Sequence, residues 1–349
     1  MRIGPYAGAA AAWDAFVEED PAGSFCHLHG WRGVLSEGLG HDAALVCAES
    51  AGALEGLMPL TRVAGPLGSF LVSAPFLSYG GPIGSVEAVR GLARDAVERG
   101  RDGGVDLVEL RCRARTWARA GEENRPDPPA GMRVSDRRVA VLLPLPDDAG
   151  ELWDGLRSKV RSQVRRPGKE GMQTCFGPDQ LAPFYAVFAR NMRDLGTPVL
   201  PLRFFRAILG AFPAQARVGV VYHEGAPAAA GFGFLWRGEL EMTWASSLRS
   251  LGRLAPNMLL YWDFMKHAVE SGAHTFNFGR CPPGGGTHRF KLQWGGADRA
   301  LPWLQWPAAG AAGTPSPAGG AYRLATRAWS RLPLPLANRL GPWIARTIP

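Results

Sequence analysis

Apolar and polar positions along the chain fall into short blocks of two periods. Residues 13–17 and 31–35 carry helical spacing, while 43–48 and 54–62 are apolar or alternating runs that predict strands. Residues 73–84, SAPFLSYGGPIG, predict a strand leading into a tight turn, because Gly80 and Gly81 take backbone angles other residues avoid. A helix over 86–99, a strand over 105–111, a Pro-rich loop over 113–132 and a strand over 139–145 complete this first mixed block. The second block opens with one helix over 148–166, followed by helices over 179–195 and 203–211. Strands over 217–222, 228–236 and 240–245, a helix over 256–271 and a strand over 275–278 come next. The order β-β-β-α-β predicts a sheet with helices packed on it. An Ala/Gly/Pro-rich linker over 307–320 leads into a short tail.

The chain has 349 residues. A single core stops growing near roughly 250–300 residues, so two domains are expected: 1–147 and 148–306, with 307–349 as linker and basic tail. Hydrophobic residues make up 46% and charged residues 20%, the balance of an ordinary globular chain. Net charge is +8, which calls for an anionic partner: a nucleic acid, a phosphorylated small molecule or an acidic membrane face. The bland alternative is a genome that favours Arg and Ala codons. The five cysteines are widely spaced with no CxxC pair, which speaks against a disulfide framework or zinc site and for a reducing compartment. The first fourteen residues lack the apolar core of a signal peptide. The uncharged stretches 63–85 and 300–322 are too broken by Gly and Pro to span a bilayer. A cytoplasmic protein is expected, with no metal and no DNA partner.

Three segments could carry chemistry. Between Arg157 and Lys169 the chain has six cations and no acid. Leu156, Val160 and Val164 form an apolar stripe, and Arg157, Arg161 and Arg165 stack beside it at the same spacing. Guanidinium groups match phosphate in bidentate geometry, so this is a phosphate-facing helix or else a solvated charged face. The second segment, Arg249 to Ala255, lies between a strand and a helix whose first turn begins at Pro256. Free N–H groups at such a helix start attract anions. The segment resembles the (Gln/Arg)-x-x-Gly-x-(Gly/Ala) loop of GNAT acetyltransferases, which grips coenzyme A pyrophosphate, although Leu254 departs from the pattern. The third segment is FNFGR (276–280), then CPPGGG, then THRFKLQWGG (287–296). Arg280, Arg289 and Lys291 can hold negative charge, His288 titrates near neutrality when unperturbed, and Lys291 beside Phe290 can steady an oxyanion during acyl transfer. The alternative is an edge hairpin with exposed basic side chains.

At this point the sequence resembles the FemAB family, peptidoglycan-bridge aminoacyltransferases, and within it the proteins associated with PEP-CTERM/exosortase systems. The carrying stretches are SAPFLSYGGP (73–82), LRSKVRSQVRRPGKEGM (156–172), FYAVFARNMRDLGTPV (184–199), WASSLRSLGRLAPNMLLYW (244–262), FNFGR, GTHRFKLQWGG (286–296) and the tail LPLPLANRLGPWIAR (332–346). The resemblance implies an α/β (α+β) chain of two tandem GNAT-like acyl-CoA N-acyltransferase domains, each a mixed twisted sheet flanked by helices. It implies transfer of an acyl or aminoacyl group, from acyl-CoA or aminoacyl-tRNA, to an amine of a cell-envelope or exopolysaccharide precursor, with no tightly bound cofactor. It places Phe290 and Lys291 at the reaction centre, with His288 and Arg280 beside them. It assigns Arg249, Gly252, Asn257, Arg289 and Tyr79 to the donor or substrate, and Lys159, Arg161 and Arg165 to acceptor phosphates or sugar.

Relatives usually carry Asp where this chain has Asn277, and Tyr where it has His288. They also include members with a coiled-coil arm near tRNA, which has no counterpart here. Two other readings therefore stand beside the first: an acyl-CoA-dependent N-acetyltransferase acting on a small amine, and a non-catalytic binding protein on a transferase scaffold. The tail has no acid after Asp298 but carries Arg323, Arg327, Arg331, Arg339 and Arg346 among tryptophans. It either lies on the inner face of an anionic membrane or packs on the protein itself.

Overall fold

The computed structural model describes residues 1–113, 116–117, 127–308 and 320–349. Parts of the loop expected over 113–132 and most of the linker over 307–320 lie outside them. The chain divides into two compact units, one of Met1–Arg138, Ala300–Gly319 and Trp343–Pro349, the other of Val139–Arg299 and Gly320–Pro342.

The first unit is built on β1 (Arg2–Pro5), β2 (Ala43–Ser50), β3 (Ala53–Gly65), β4 (Gly68–Val72), β5 (Ile83–Gly84), β6 (Leu107–Leu110), β7 (Arg133–Ser135) and the last strand of the chain, β15 (Trp303–Pro307). They form a mixed sheet in the order β1-β2-β3-β4-β6-β15-β7, with β5 paired to β3. Helices α1 (Ala10–Glu19), α2 (Trp31–Leu39) and α3 (Val86–Asp102) flank it. Ser85 caps α3 by accepting the Ala88 N–H at 3.2 Å, and Leu92 and Ala96 of that helix pack on Val46, Met58 and Val108 of the sheet.

The second unit carries β8 (Val139–Pro144), α4 (Ala149–Gly155), α5 (Ser158–Lys169), β9 (Gln173–Phe176), α6 (Leu181–Asp194), α7 (Leu202–Ala211), β10 (Ala216–His223), β11 (Ala226–Trp236), β12 (Glu239–Ser247), α8 (Pro256–Glu270), β13 (Thr275–Cys281), α9 (Gly286–Leu292) and β14 (Ala297–Ala300). Its sheet order is β14-β8-β13-β12-β11-β10-β9, with β12 and β13 parallel. Val160 and Val164 of α5 pack with Met258 and Phe264 of α8 and with Phe276 and Phe278 of β13. Phe184, Phe205, Phe232 and Trp244 interlock as tilted and edge-on pairs on α6, α7, β11 and β12. Two amphipathic helices end the chain, α10 (Gly320–Trp329) and α11 (Leu334–Ala345).

Four expectations need correction. The boundary at 147 moves to 138, because β8 pairs antiparallel with β13 and buries Val141 and Leu143 in the second core. Residues 303–307 return to the first sheet as β15, where Leu304 is buried beside Val108 and Leu110. The helix expected over 148–166 is two helices. Asp148 caps the first by accepting from Gly150 N–H (2.7 Å) and Glu151 N–H (3.1 Å), Gly155 ends it, and Leu156 and Arg157 are extended before α5 begins. The segment 73–81 is buried irregular chain rather than strand; Ala74 and Phe76 are left-handed there, with φ of 44° and 70°.

Candidate functional site

The third sequence segment folds as strand, Gly/Pro loop and helix, not as a hairpin. After β13 the chain turns through residues 282–285 and re-enters as α9, which packs against β13 and β8. His288 braces this corner. Its Nδ1 accepts the Gly284 N–H at 3.0 Å and its Nε2 donates to Asp298 Oδ1 at 2.7 Å, so both ring nitrogens are engaged. Lys291, one turn on, is only 4% exposed. Its Nζ donates to the carbonyls of Gly279 (2.7 Å) and Arg280 (3.1 Å). Burial pushes this ammonium down to about 8; Cys281 and Glu241 pull the other way and Arg280 adds to the depression. Phe290 packs edge-on against the buried Tyr261 ring, centroids 4.9 Å apart.

Beside this corner lies a pocket of about 460 Å³. Its walls are Gln163 and Arg166 of α5, Gly252, Arg253 and Ala255 ahead of α8, Asn257 and Met258 in the first turn of α8, and Gly286, Arg289, Phe290 and Gln293 on and just after α9. The segment before α8 is a tight helical turn, Arg249–Leu254, closed by Ala255 in the left-handed region (φ 56°) with Pro256 starting the helix. Three arginines from three elements thus line one pocket, and among the described residues no acid lines it.

Of the residues expected from sequence, Gly252, Asn257, Arg289 and Phe290 line this pocket; Lys291, Arg280 and His288 do not. Arg249 is exposed outside the lining, and Arg253 stands there instead. The phosphate row on α5 also turns elsewhere. Arg161 donates to the Asp154 carbonyl at 3.2 Å, Arg165 lies over the Trp153 ring at 5.0 Å, and Lys159 is exposed. Tyr79 is 1% exposed in the first unit, under the Arg113 guanidinium at 5.1 Å, and is a core residue rather than a substrate contact. Sequence reasoning missed Gln163, Arg166, Arg253 and Gln293. The signal for the first two was present: positions three apart share a helix face, and 163 and 166 flank the buried Val160, Val164 and Pro167.

With this geometry in hand, residues 155–292 match the acetyltransferase (GNAT) domain family. Among solved structures, FemX is similar with a TM-score of 0.65 at 14% identity, over 88% of this chain and 97% of FemX. A tandem GNAT protein from the clavulanic acid biosynthesis pathway is similar with a TM-score of 0.56 at 14% identity, over 90% of this chain and 99% of that one. So is the C-terminal domain (DUF2156) of a putative lysylphosphatidylglycerol synthetase from Agrobacterium fabrum, with a TM-score of 0.56 at 14% identity, over 86% and 92%. No curated protein matches the chain. The fold is therefore a tandem GNAT, FemAB-like α/β fold, each half a mixed sheet flanked by helices.

Proposed function

We propose that this chain is an N-acyltransferase that takes an acyl group from a phosphate-bearing carrier and joins it to an amine. The observation that carries the reading is the pocket that Arg166, Arg253 and Arg289 line together, with no acid lining it among the described residues. Like charges crowd together at a cost unless an anion sits between them, and guanidinium forks suit phosphate. Met258, Ala255 and Phe290 give the same pocket an apolar wall for the rest of the carrier. Acyl-CoA fits this combination, and the GNAT match over the same residues supports it.

In the reaction so assigned, the amine attacks the thioester carbonyl and a C–N bond forms. The C–S bond then breaks, and the proton lost by the amine ends on the departing thiol. The role given to Lys291, which lies outside the pocket lining with its Nζ on the Gly279 and Arg280 carbonyls, is to favour the transient oxyanion through its positive field rather than by a direct hydrogen bond. The acceptor class suggested by the FemAB likeness is an amine of a cell-envelope or exopolysaccharide precursor, with the PEP-CTERM/exosortase setting as its context. The basic tail would bring the protein to an anionic membrane face; no helix among the described residues is long and apolar enough to cross a bilayer.

A second reading, aminoacyl-tRNA as donor, is favoured by the exposed cations of α5, among them Lys159, Arg165, Arg166 and Lys169. Incubating the purified protein with amines and either labelled acyl-CoA or labelled aminoacyl-tRNA separates the two. Product from acyl-CoA alone supports the first reading. Product from tRNA alone replaces it with the second. No product from either donor, with no coenzyme A binding, leaves the binding-protein alternative.

A further inference from the structure

Asn277 is fully buried in β13, on the last rung of its parallel pairing with β12, opposite Glu241. Its side-chain amide works in both directions. Nδ2 donates to Glu239 Oε1 at 2.8 Å and to Glu241 Oε2 at 3.3 Å, while Oδ1 accepts the Gly279 N–H at 2.8 Å. The flipped amide would set its NH₂ against an N–H and its oxygen against two carboxylates, so the network fixes the orientation.

The bond to Gly279 shapes the strand. Gly279 is left-handed at φ 69°, and a Cβ there would meet the Met242 carbonyl oxygen at 2.9 Å, so only glycine suits the position. The register of β13 against β8 shifts between Asn277 and Arg280, which marks a bulge. Beyond that bulge the carbonyls of Gly279 and Arg280 both point to the Lys291 ammonium. One hydrogen-bonded line therefore runs from Glu239 and Glu241 through Asn277 and the Gly279 turn to Lys291.

We infer that Asn277 is a positioning residue for Lys291: its amide holds the Gly279 bulge that presents two carbonyls to the ammonium, and ties that bulge to the buried carboxylate of Glu241. The position demands a neutral group that accepts and donates at once. An aspartate could accept from Gly279 but could not donate, and it would set a third carboxylate beside Glu239 and Glu241. The asparagine amide is thus matched to its two acidic neighbours. The charged and titratable groups acting on Lys291 are Cys281, Glu241 and Arg280. A catalytic consequence rests on the reading of Lys291 proposed above; the positional claim does not.

The chain has four lysines, Lys159, Lys169, Lys266 and Lys291, so ¹³C-lysine NMR can follow Lys291 by itself once Lys291→Arg assigns its resonance. In full-length protein, Asn277→Ser is expected to lower the Lys291 titration midpoint by about one pH unit, a tenfold change in proton affinity, because the carbonyl pair is no longer held. Glu241→Gln should lower it too. Asn277→Asp with Glu241→Gln reverses the amide–carboxylate pair and should bring the midpoint back towards wild type. If Asn277→Ser does not fold, Glu241→Gln and the double variant still read the link. Midpoints that stay at the wild-type value in all folded variants overturn the inference. Activity is measured alongside: kcat should fall with the midpoint while the donor KM holds. Wild-type protein that transfers no acyl group removes the function proposed above and leaves the titration result to stand or fall alone.

Discussion

The His27 ring donates through Nε2 to the Gly81 carbonyl at 2.9 Å, joining positions 54 apart in the sequence. Its Nδ1 accepts from the Ser24 N–H (3.2 Å) and lies 2.9 Å from the Ser24 hydroxyl. This tautomer is neutral, and burial pushes the group from 6.5 down to about 4. Because the folded-state value lies below the unfolded one, the stabilisation is fully present above pH 6.5 and is lost as pH falls towards 4. The loss is on the order of 3 kcal/mol. Urea unfolding between pH 7 and pH 4 should show it, and His27→Gln should flatten that limb. Equal slopes for the two proteins would remove His27 from the account.

Lys291 titrates in the same sense in a higher window of pH. Held down to about 8 by burial, it is charged below that value and neutral above it. A cation that steadies an oxyanion gives kcat an alkaline fall centred near pH 8. Lys291→Arg keeps the charge and should flatten the fall, while Lys291→Met should cost about 100-fold in kcat. Stability must move the other way. Between about 8 and 10.5 the unfolded chain binds the proton that the folded one has released, so folding gains as pH rises. An activity profile that climbs through pH 8 would refute the cationic role.

The three pocket arginines should act on donor binding rather than on turnover. Arg166→Ala, Arg253→Ala and Arg289→Ala each remove a charge-assisted hydrogen bond of about 1.5 kcal/mol, or about tenfold in coenzyme A affinity. Arg249→Ala, outside the lining, should change little. Calorimetric titration with coenzyme A checks both halves. Wild-type affinity in all three pocket variants would end the assignment.

Much of this was visible in the residue pattern, for a physical reason. Strands β10, β11 and β12 are long and alternate or run apolar, and α8 begins at a proline and ends before Gly272, so period and punctuation both mark them. What a strand pattern does not state is its sheet. The apolar run of β8 suits either core, and it joined β13, more than a hundred positions away, through Val141 and Leu143. Helix α9 was hidden because no capping side chain opens it and its approach is glycine. At the site, Phe290 and Arg289 were legible as a cluster. The turn of Arg161 and Arg165 towards α4 was not, because it depends on the break at Leu156, which displaces the two halves of an apparently single helix.

The tail offers the last test. Leu324 and Trp343 are each 71% exposed, and Leu336 and Leu340 also face solvent on α11. Arg323, Arg327, Arg331 and Arg339 are exposed with them, and the sequence has no acid after Asp298. Apolar side chains among arginines suit an anionic bilayer surface, where each basic residue contributes about 1 kcal/mol. Deleting the tail is the wrong experiment. In the second unit a Cβ on Gly341 would already meet Val199 at 2.9 Å, and in the first the Arg346 carbonyl accepts from His41 at 2.8 Å, so truncation would disturb both cores. Substitutions confined to exposed positions avoid this. Wild-type protein should sediment with phosphatidylglycerol vesicles and not with phosphatidylcholine, and Leu324→Ser with Leu340→Ser and Arg327→Gln should lower the bound fraction at least tenfold. Equal binding of wild type and variant would show that these side chains meet no lipid.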